Sequence, residues 1–392
     1  INVLTMPKSW LDRLELGLVL ILSGFVFWPN AIPSICLISI LGLRIIQQRK
    51  RAFPNGKEWW MLLPLLAILV SWIGFGFQQD GTREVQLWAT WLAAFIYFKS
   101  SPFKSHFTKG FIFFSFAQAI LVLAYFTLAE PLSSAGFSQS FRDTIERVFH
   151  VHPTFLSTAW MWAAFLAITQ LNILWRNRLL LASVLILMAV LSGGRMPVIA
   201  GAIVLTIFSI SQIQPLKYKV LASASIGLFF MANVLFNPLI SQRFDELTSL
   251  SVDYTEGQLL TSTQLRLGIW KCSRLSIQDH WLLGVGTGNT REVLETCYHD
   301  YQQVEFFDTE FNTHNQYMHF WLTGGVFSFF AFIIFFGLIM SKAWKNKNYD
   351  LLYFYLFVGL IFLTENYFSR QFGMMFTSFF LFSFYYRKDQ IS

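Results

Sequence analysis

The chain has 392 residues, of which 55% are hydrophobic and only 13% charged, with a mean hydropathy of +0.49. A soluble domain of this size needs far more charge to cover its surface, so this composition excludes one and makes lipid the solvent for much of the chain. The net charge of +7 would suit nucleic acid, but the bases are distributed by topology and imply no such partner.

Apolar stretches long enough to span a bilayer, or nearly so, run over 14–28, 32–46, 59–77, 85–98, 111–128, 154–169, 179–194, 197–213, 220–236, 317–340, 351–364 and 372–386. A crossing helix needs about 20 residues, so the shorter stretches must borrow flanking residues. The 44 Phe and 14 Trp fit helices that face acyl chains and anchor at interfaces. The first apolar stretch runs directly into a second, which does not match a cleavable signal, and the start at Ile1 is read as trimming of a residue or more.

Alternate loops separate the charges. One set holds 19 of the 29 Lys and Arg with five acids, a net of +14; the other holds 10 bases and 17 acids, a net of −7. By the positive-inside rule the basic set is cytoplasmic. The sequence therefore predicts an all-α integral membrane protein of about twelve transmembrane helices with both termini in the cytoplasm. Residues 1–236 carry spans one to nine, 237–315 form a large external loop and 316–392 carry spans ten to twelve. The loop at 130–153 is moderate. Loops as long as 237–315 without function are uncommon.

Inside the long loop, 263–277 is predicted as a helix with Arg266, Trp270 and Arg274 at i, i+4 and i+8 on one face, 279–289 as a glycine-rich turn and 290–301 as a second helix. Cys36 lies in a span, whereas Cys272 and Cys297 both fall in the loop. Two free thiols and a bridge between the two loop helices both remain open there, since the compartment is oxidising.

Three external positions carry chemistry. Ser192-Gly193-Gly194-Arg195-Met196-Pro197 puts Pro197 in the first turn of a helix, with glycines that admit close approach of a ligand. Arg195 then stands at a helix N-terminus, an anion-favouring place, although an interfacial Arg that snorkels to headgroups looks the same. The second position is Gln264–Trp270 with Asp279–Asn289, whose glycines are not a dinucleotide fingerprint, because position 289 is Asn and no strand precedes them. The third is Asn312-Thr313-His314-Asn315-Gln316-Tyr317. Thr313 and Gln316 have capping-box spacing, which puts His314 in the first helical turn, where the dipole favours a neutral ring able to accept a proton. His319 is read as a packing or polar core residue.

Together these segments resemble the O-antigen ligase and O-antigen polymerase superfamily. The resemblance is carried by the Ser-Gly-Gly-Arg turn, by Arg266 and Trp270 ahead of Trp281-Leu282-Leu283-Gly284-Val285-Gly286-Thr287-Gly288-Asn289, and by His314-Asn315-Gln316-Tyr317 opening a helix that contains Gly324-Gly325. It covers roughly residues 180–335, and His152-Pro153-Thr154 matches more loosely. Trp281 stands where the family often has Pro. The resemblance implies a GT-C-like glycosyltransferase of the bacterial inner membrane with a periplasmic active site. Its donor is a glycan on undecaprenyl diphosphate and its acceptor lipid A-core (a ligase) or another lipid-linked glycan (a polymerase). It assigns the diphosphate to Arg195 and Arg266 and the base to His314, with His152, Arg274 and Asn315 in support. The compact chain with one dominant outer loop favours the ligase.

No cofactor is expected. The first outer loop, Pro29-Asn30-Ala31-Ile32-Pro33, lacks the paired carboxylates of metal-dependent relatives in the wider fold, so metal-independent, inverting transfer is expected. The rival class is a polysaccharide-lipid transporter or flippase. Carriers hold ionisable residues within their spans, whereas here the charges gather at the outer mouth. Reporter fusions after Lys50, Lys104, Lys217 and Lys345 are expected to read cytoplasm and a fusion after Gly257 the external side; a cytoplasmic Gly257 overturns the orientation.

Overall fold

The computed structural model describes residues 9–48, 56–129, 137–236, 262–299, 306 and 311–387. The first part of the long loop with Gly257, the basic run Arg49–Arg51, Lys388 and the expected end of the second loop helix at 301 lie outside them.

Among the described residues the regular structure is entirely helical. In chain order the helices are α1 (Trp10–Ser23), α2 (Ala31–Gln48), α3 (Leu63–Gly74), α4 (Gln79–Ser100), α5 (Lys104–Ala129), α6 (Phe137–Phe149), α7 (Pro153–Gln170), α8 (Trp175–Leu191), α9 (Arg195–Gln212), α10 (Leu216–Phe236), α11 (Ser262–Asp279), α12 (Thr290–Tyr298), α13 (Gln316–Lys345), α14 (Tyr349–Ile361) and α15 (Gln371–Tyr385). Each of the twelve apolar stretches falls on a helix. Among the described residues three helices are long and apolar enough to cross a membrane, at Lys104–Leu128, Arg195–Gln212 and Gln316–Lys345; a fourth crossing follows if α6 and α7, bent by 93°, count as one. The described residues are thus those of an all-helical membrane protein, with fewer clear crossings among them than the twelve expected from hydropathy.

Two boundaries differ for local reasons. The third stretch begins as a 3₁₀ helix at Gly56–Leu62, and the α-helix starts only beside Pro64, which has no N–H to give and a φ suited to a first turn. The fourth helix starts at Gln79, six residues before its apolar stretch, so Asp80, Arg83 and Glu84 are helical. The loop at 130–153 contains α6, an amphipathic helix that buries Phe141 and Ile145 and exposes Asp143 and Glu146.

Packing divides the chain into two units. One comprises residues 1–53, 93–239 and 378–392, the other 54–92 and 240–377. In the first, α7 is apolar all round and buried along nearly its whole length, the signature of a central helix. Beside it stand Phe25, Phe111 and Phe380, with ring centroids 5.6 and 4.7 Å apart in succession. Glu15 and Arg44, which sit at span ends in the sequence, form a buried pair: the guanidinium meets both carboxylate oxygens, at 2.8 and 2.7 Å. The Tyr97 hydroxyl donates to the same carboxylate at 3.1 Å and accepts from Ser101 at 2.8 Å.

The second unit is built around a break in α13. At Gly324 and Gly325 the backbone leaves helical geometry, with φ +65° at Gly325. A helix broken there frees peptide groups that lipid cannot satisfy. Here the segment after α11 satisfies them. Val285 N–H donates to the Leu322 carbonyl at 2.8 Å, Gly286 N–H to Thr323 at 2.9 Å, and Val326 N–H to Trp281 at 2.9 Å. Ser71 of α3 also donates to the Thr323 carbonyl at 2.8 Å and accepts from Thr287 N–H at 3.0 Å. The backbones lie so close that a Cβ on Gly284 would sit 2.6 Å from the Gly325 nitrogen. Below this junction α11 and α12 share a core of Ile269, Cys272, Val285, Leu294 and Tyr298, and Cys272 is bridged to Cys297 with 5.7 Å between their Cα atoms. Of the two states left open for these cysteines, the bridge is the one found.

Gly325→Ala must clash with the Leu282 carbonyl in a left-handed backbone, and Glu15→Ala strands a buried guanidinium. The second change is expected to cost roughly 3–5 kcal/mol, with recovery in Glu15→Leu combined with Arg44→Met. Thermal unfolding of the purified protein checks both, and wild-type melting of either single variant would remove the corresponding constraint.

Candidate active site

His314 lies in the short segment that leads into α13, and its position corrects the expected cap. The residue capping α13 is Asn315, not Thr313: its side-chain oxygen accepts from the N–H groups of Tyr317 and Met318, both at 3.0 Å. His314 therefore precedes the helix and is not in its first turn. Its φ is +42°, a left-handed conformation that is uncommon outside glycine and that gathers at functional sites.

That conformation is held from several sides. His314 N–H donates to the Asn312 side chain at 3.0 Å, and Trp270 of α11 donates to the His314 carbonyl at 3.3 Å. Further bonds join the segment to the turn after α14. Gln316 N–H donates to the Phe362 carbonyl at 2.8 Å and Asn315 to the Leu363 carbonyl at 3.0 Å. Asn366 donates to Thr313 Oγ1, and Phe368 N–H to Gln316 Oε1, both at 2.9 Å.

The joined turn delivers Glu365. Its Oε1 accepts from the Arg266 guanidinium at 2.7 Å, and its Oε2 stands 3.6 Å from His314 Nδ1. All three side chains are largely buried, with 27% of Arg266, 24% of His314 and 12% of Glu365 exposed. One carboxylate thus spans a cation and an imidazole, using one oxygen for each. At 3.6 Å the contact with Nδ1 is electrostatic and not a hydrogen bond, Nδ1 having no hydrogen-bond partner among the described residues, and Nε2 is left for another partner. The arrangement also leaves donors on the guanidinium, since the buried Nε of Arg266 makes no hydrogen bond among the described residues. Arg266 and Trp270 share the helix face read from the sequence, but Arg274 is exposed and no hydrogen bond or ion pair joins it to the trio among those residues.

In the first unit, Arg195 is the first residue of α9, with Gly194 as cap, as the Ser-Gly-Gly-Arg turn suggested. Both glycines are closely packed. Gly193 takes φ +70° and has Arg142 of α6 against its Cα, with the Arg142 guanidinium 3.4 Å from its carbonyl oxygen. A Cβ on Gly194 would lie 2.5 Å from that of Ser157, so this glycine is spent on helix packing. His152 caps α7, accepting from Thr154 N–H at 3.3 Å, and lies 3.9 Å from Glu146.

Glu365 was not singled out from the sequence. The available signal was its place: an acid directly after an apolar stretch, in the same set of loops as His314. Among the described residues no three His, Cys, Asp or Glu side chains are grouped as a metal centre.

No curated protein matches the chain. A family model described as O-Antigen ligase matches residues 179–333, which run from α8 through the broken part of α13 and contain Arg195, Arg266 and His314. Over that segment the chain resembles the O-antigen ligase-like superfamily.

Proposed function

We propose that this protein is a GT-C-like glycosyltransferase of the bacterial inner membrane, with about twelve spans and cytoplasmic termini. The proposal places 237–315 in the periplasm between spans one to nine and ten to twelve. It moves a glycan from undecaprenyl diphosphate to lipid A-core without metal and with inversion. The observation that carries the reading is Glu365 set between His314 and Arg266.

The acceptor hydroxyl gives its proton to His314 Nε2 as its oxygen forms a bond to the anomeric carbon. The bond from that carbon to the diphosphate oxygen breaks, and undecaprenyl diphosphate departs with the electron pair. Glu365 orients the ring and balances the imidazolium that results, the service a carboxylate gives a base in many proton transfers. Arg266 turns its remaining donors to the developing negative charge. Arg195 is assigned to the same anion by the family resemblance, and His152 and Arg274 to support. Asn315 acts through the backbone it caps.

His314→Asn keeps a residue that tolerates the left-handed backbone while removing the base. Transfer is expected to fall by about 10²–10⁴-fold with retention of lipid-linked donor nearly unaltered. Arg266→Ala is expected to weaken donor retention by roughly 2–5 kcal/mol, and Lys to restore part of it without the fork geometry. Chelator is expected to leave transfer intact. The assay incubates purified protein with lipid-linked glycan and each acceptor in turn: product on lipid A-core identifies a ligase, and lengthening alone a polymerase. Wild-type transfer by His314→Asn rules out His314 as the base.

Glu365→Gln separates orientation from charge. The amide still reaches the ring but cannot balance an imidazolium, so turnover is expected to drop while acceptor KM changes little. An unaltered turnover number would reduce Glu365 to a structural tether for Arg266.

A further inference from the structure

A polar cavity, of about 320 Å³, lies within the second unit beside the His314 segment. Its wall includes Arg83 and Glu84 from the first turns of α4, Asn312, His319, Ser369 and Arg370. Asn312 is the residue that holds His314 N–H, so the cavity wall and the proposed base share one short segment.

The charges in this cavity are unevenly committed. Glu84 is used: its Oε1 lies 2.8 Å from His319 Nε2, and the His319 side chain is only 4% exposed. Arg291, also in the wall, is paired with Glu295 at 2.6 Å, and Asp80 stands exposed at the rim. Arg83 and Arg370 are different. Both are exposed into the cavity region, and neither guanidinium makes a hydrogen bond or ion pair among the described residues.

Two buried polar atoms are also unused there: among the described residues His319 Nδ1 and Ser369 Oγ have no hydrogen-bond partner. Groups of that kind are normally satisfied, and an orphan lining a roomy polar cavity points to a ligand atom. Two uncommitted guanidiniums with a hydroxyl suit a carboxylate or phosphate, while Asp80, Glu84 and Nδ1 suit the hydroxyls around it.

We propose that this cavity binds an anionic sugar residue of a glycan substrate, with Arg83 and Arg370 holding its carboxylate or phosphate and Ser369 and His319 meeting adjacent oxygens. The proposal rests on the reading of His314 as base, because that is what gives a glycan reason to lie here. It adds a determinant outside the family-matched segment: Arg83, Glu84, Ser369 and Arg370 all fall beyond residues 179–333.

The full chain in lipid nanodiscs is titrated with galacturonate, glucose 6-phosphate, inorganic phosphate and uncharged methyl glucoside, read by saturation-transfer NMR. Both acidic sugars are expected to saturate, inorganic phosphate to bind more weakly and the neutral sugar not to saturate. A preference between galacturonate and glucose 6-phosphate assigns the anion as carboxylate or phosphate. Arg83→Gln and Arg370→Gln are each expected to weaken the preferred sugar by about tenfold or more, the worth of a charged hydrogen bond, with the melting temperature unaltered. Arg266→Gln, which removes a phosphate contact elsewhere, is expected to leave galacturonate binding as it is. Equal binding of the neutral sugar, no saturable binding, indifference to both arginine changes, or loss of galacturonate binding in Arg266→Gln instead would each overturn the proposal. Binding is independent of the base, so a failure of the His314 reading shows as persistent transfer in His314→Asn, with these titrations unchanged.

Discussion

The arrangement of the second unit follows from how one helix manages its own interruption. A helix of 30 residues that stops being helical at Gly324 and Gly325 exposes carbonyls and N–H groups that hydrocarbon cannot solvate. The glycine-rich segment 281–287 supplies the missing partners from its backbone, and it approaches that closely because neither side carries a Cβ at the crossing. The same segment is continuous with α11, so satisfying the break also sets where Arg266 and Trp270 stand relative to the start of α13. Positioning at the candidate site is thus inherited from backbone hydrogen bonding well away from it, which is more rigid than loop packing would be.

Electrostatics at the trio then works by division. An isolated carboxylate buried beside an imidazole would be costly, and an isolated guanidinium equally so. With Glu365 between them each charge has a partner before any substrate arrives, and both flanking groups keep a free atom for one. The left-handed backbone at His314 belongs to the same design. It is held by Asn312, Trp270 and the Asn315 cap, so a strained residue is over-determined by its neighbours.

Much of this was legible in the sequence, for reasons that differ by element. Apolar runs found the helices, and the Arg266–Trp270 face came directly from 3.6-residue periodicity. Boundaries failed where helices continue beyond their apolar part, as at Gln79–Glu84, because hydropathy reports burial in lipid and not helicity. Helix α6 has Phe141, Ile145 and Phe149 at helical spacing, a readable pattern that is polar enough to pass for loop. The capping-box spacing of Thr313 and Gln316 misled because Asn315, one residue nearer the helix, satisfies two N–H groups by itself. Glu365 and the partners of Gly324-Gly325 were unreadable for another reason: each depends on a segment distant in the chain, and no local pattern encodes that pairing.

The buried pair of Glu15 and Arg44 has a consequence for biogenesis. One member of the pair sits on each of the first two helices, and only the two-helix hairpin neutralises it. A chain that entered the bilayer one helix at a time would carry a bare charge until its partner arrived, at a cost of several kcal/mol. Entry as a pair avoids that state, making the hairpin, not the single helix, the favoured unit of membrane insertion at this end of the chain.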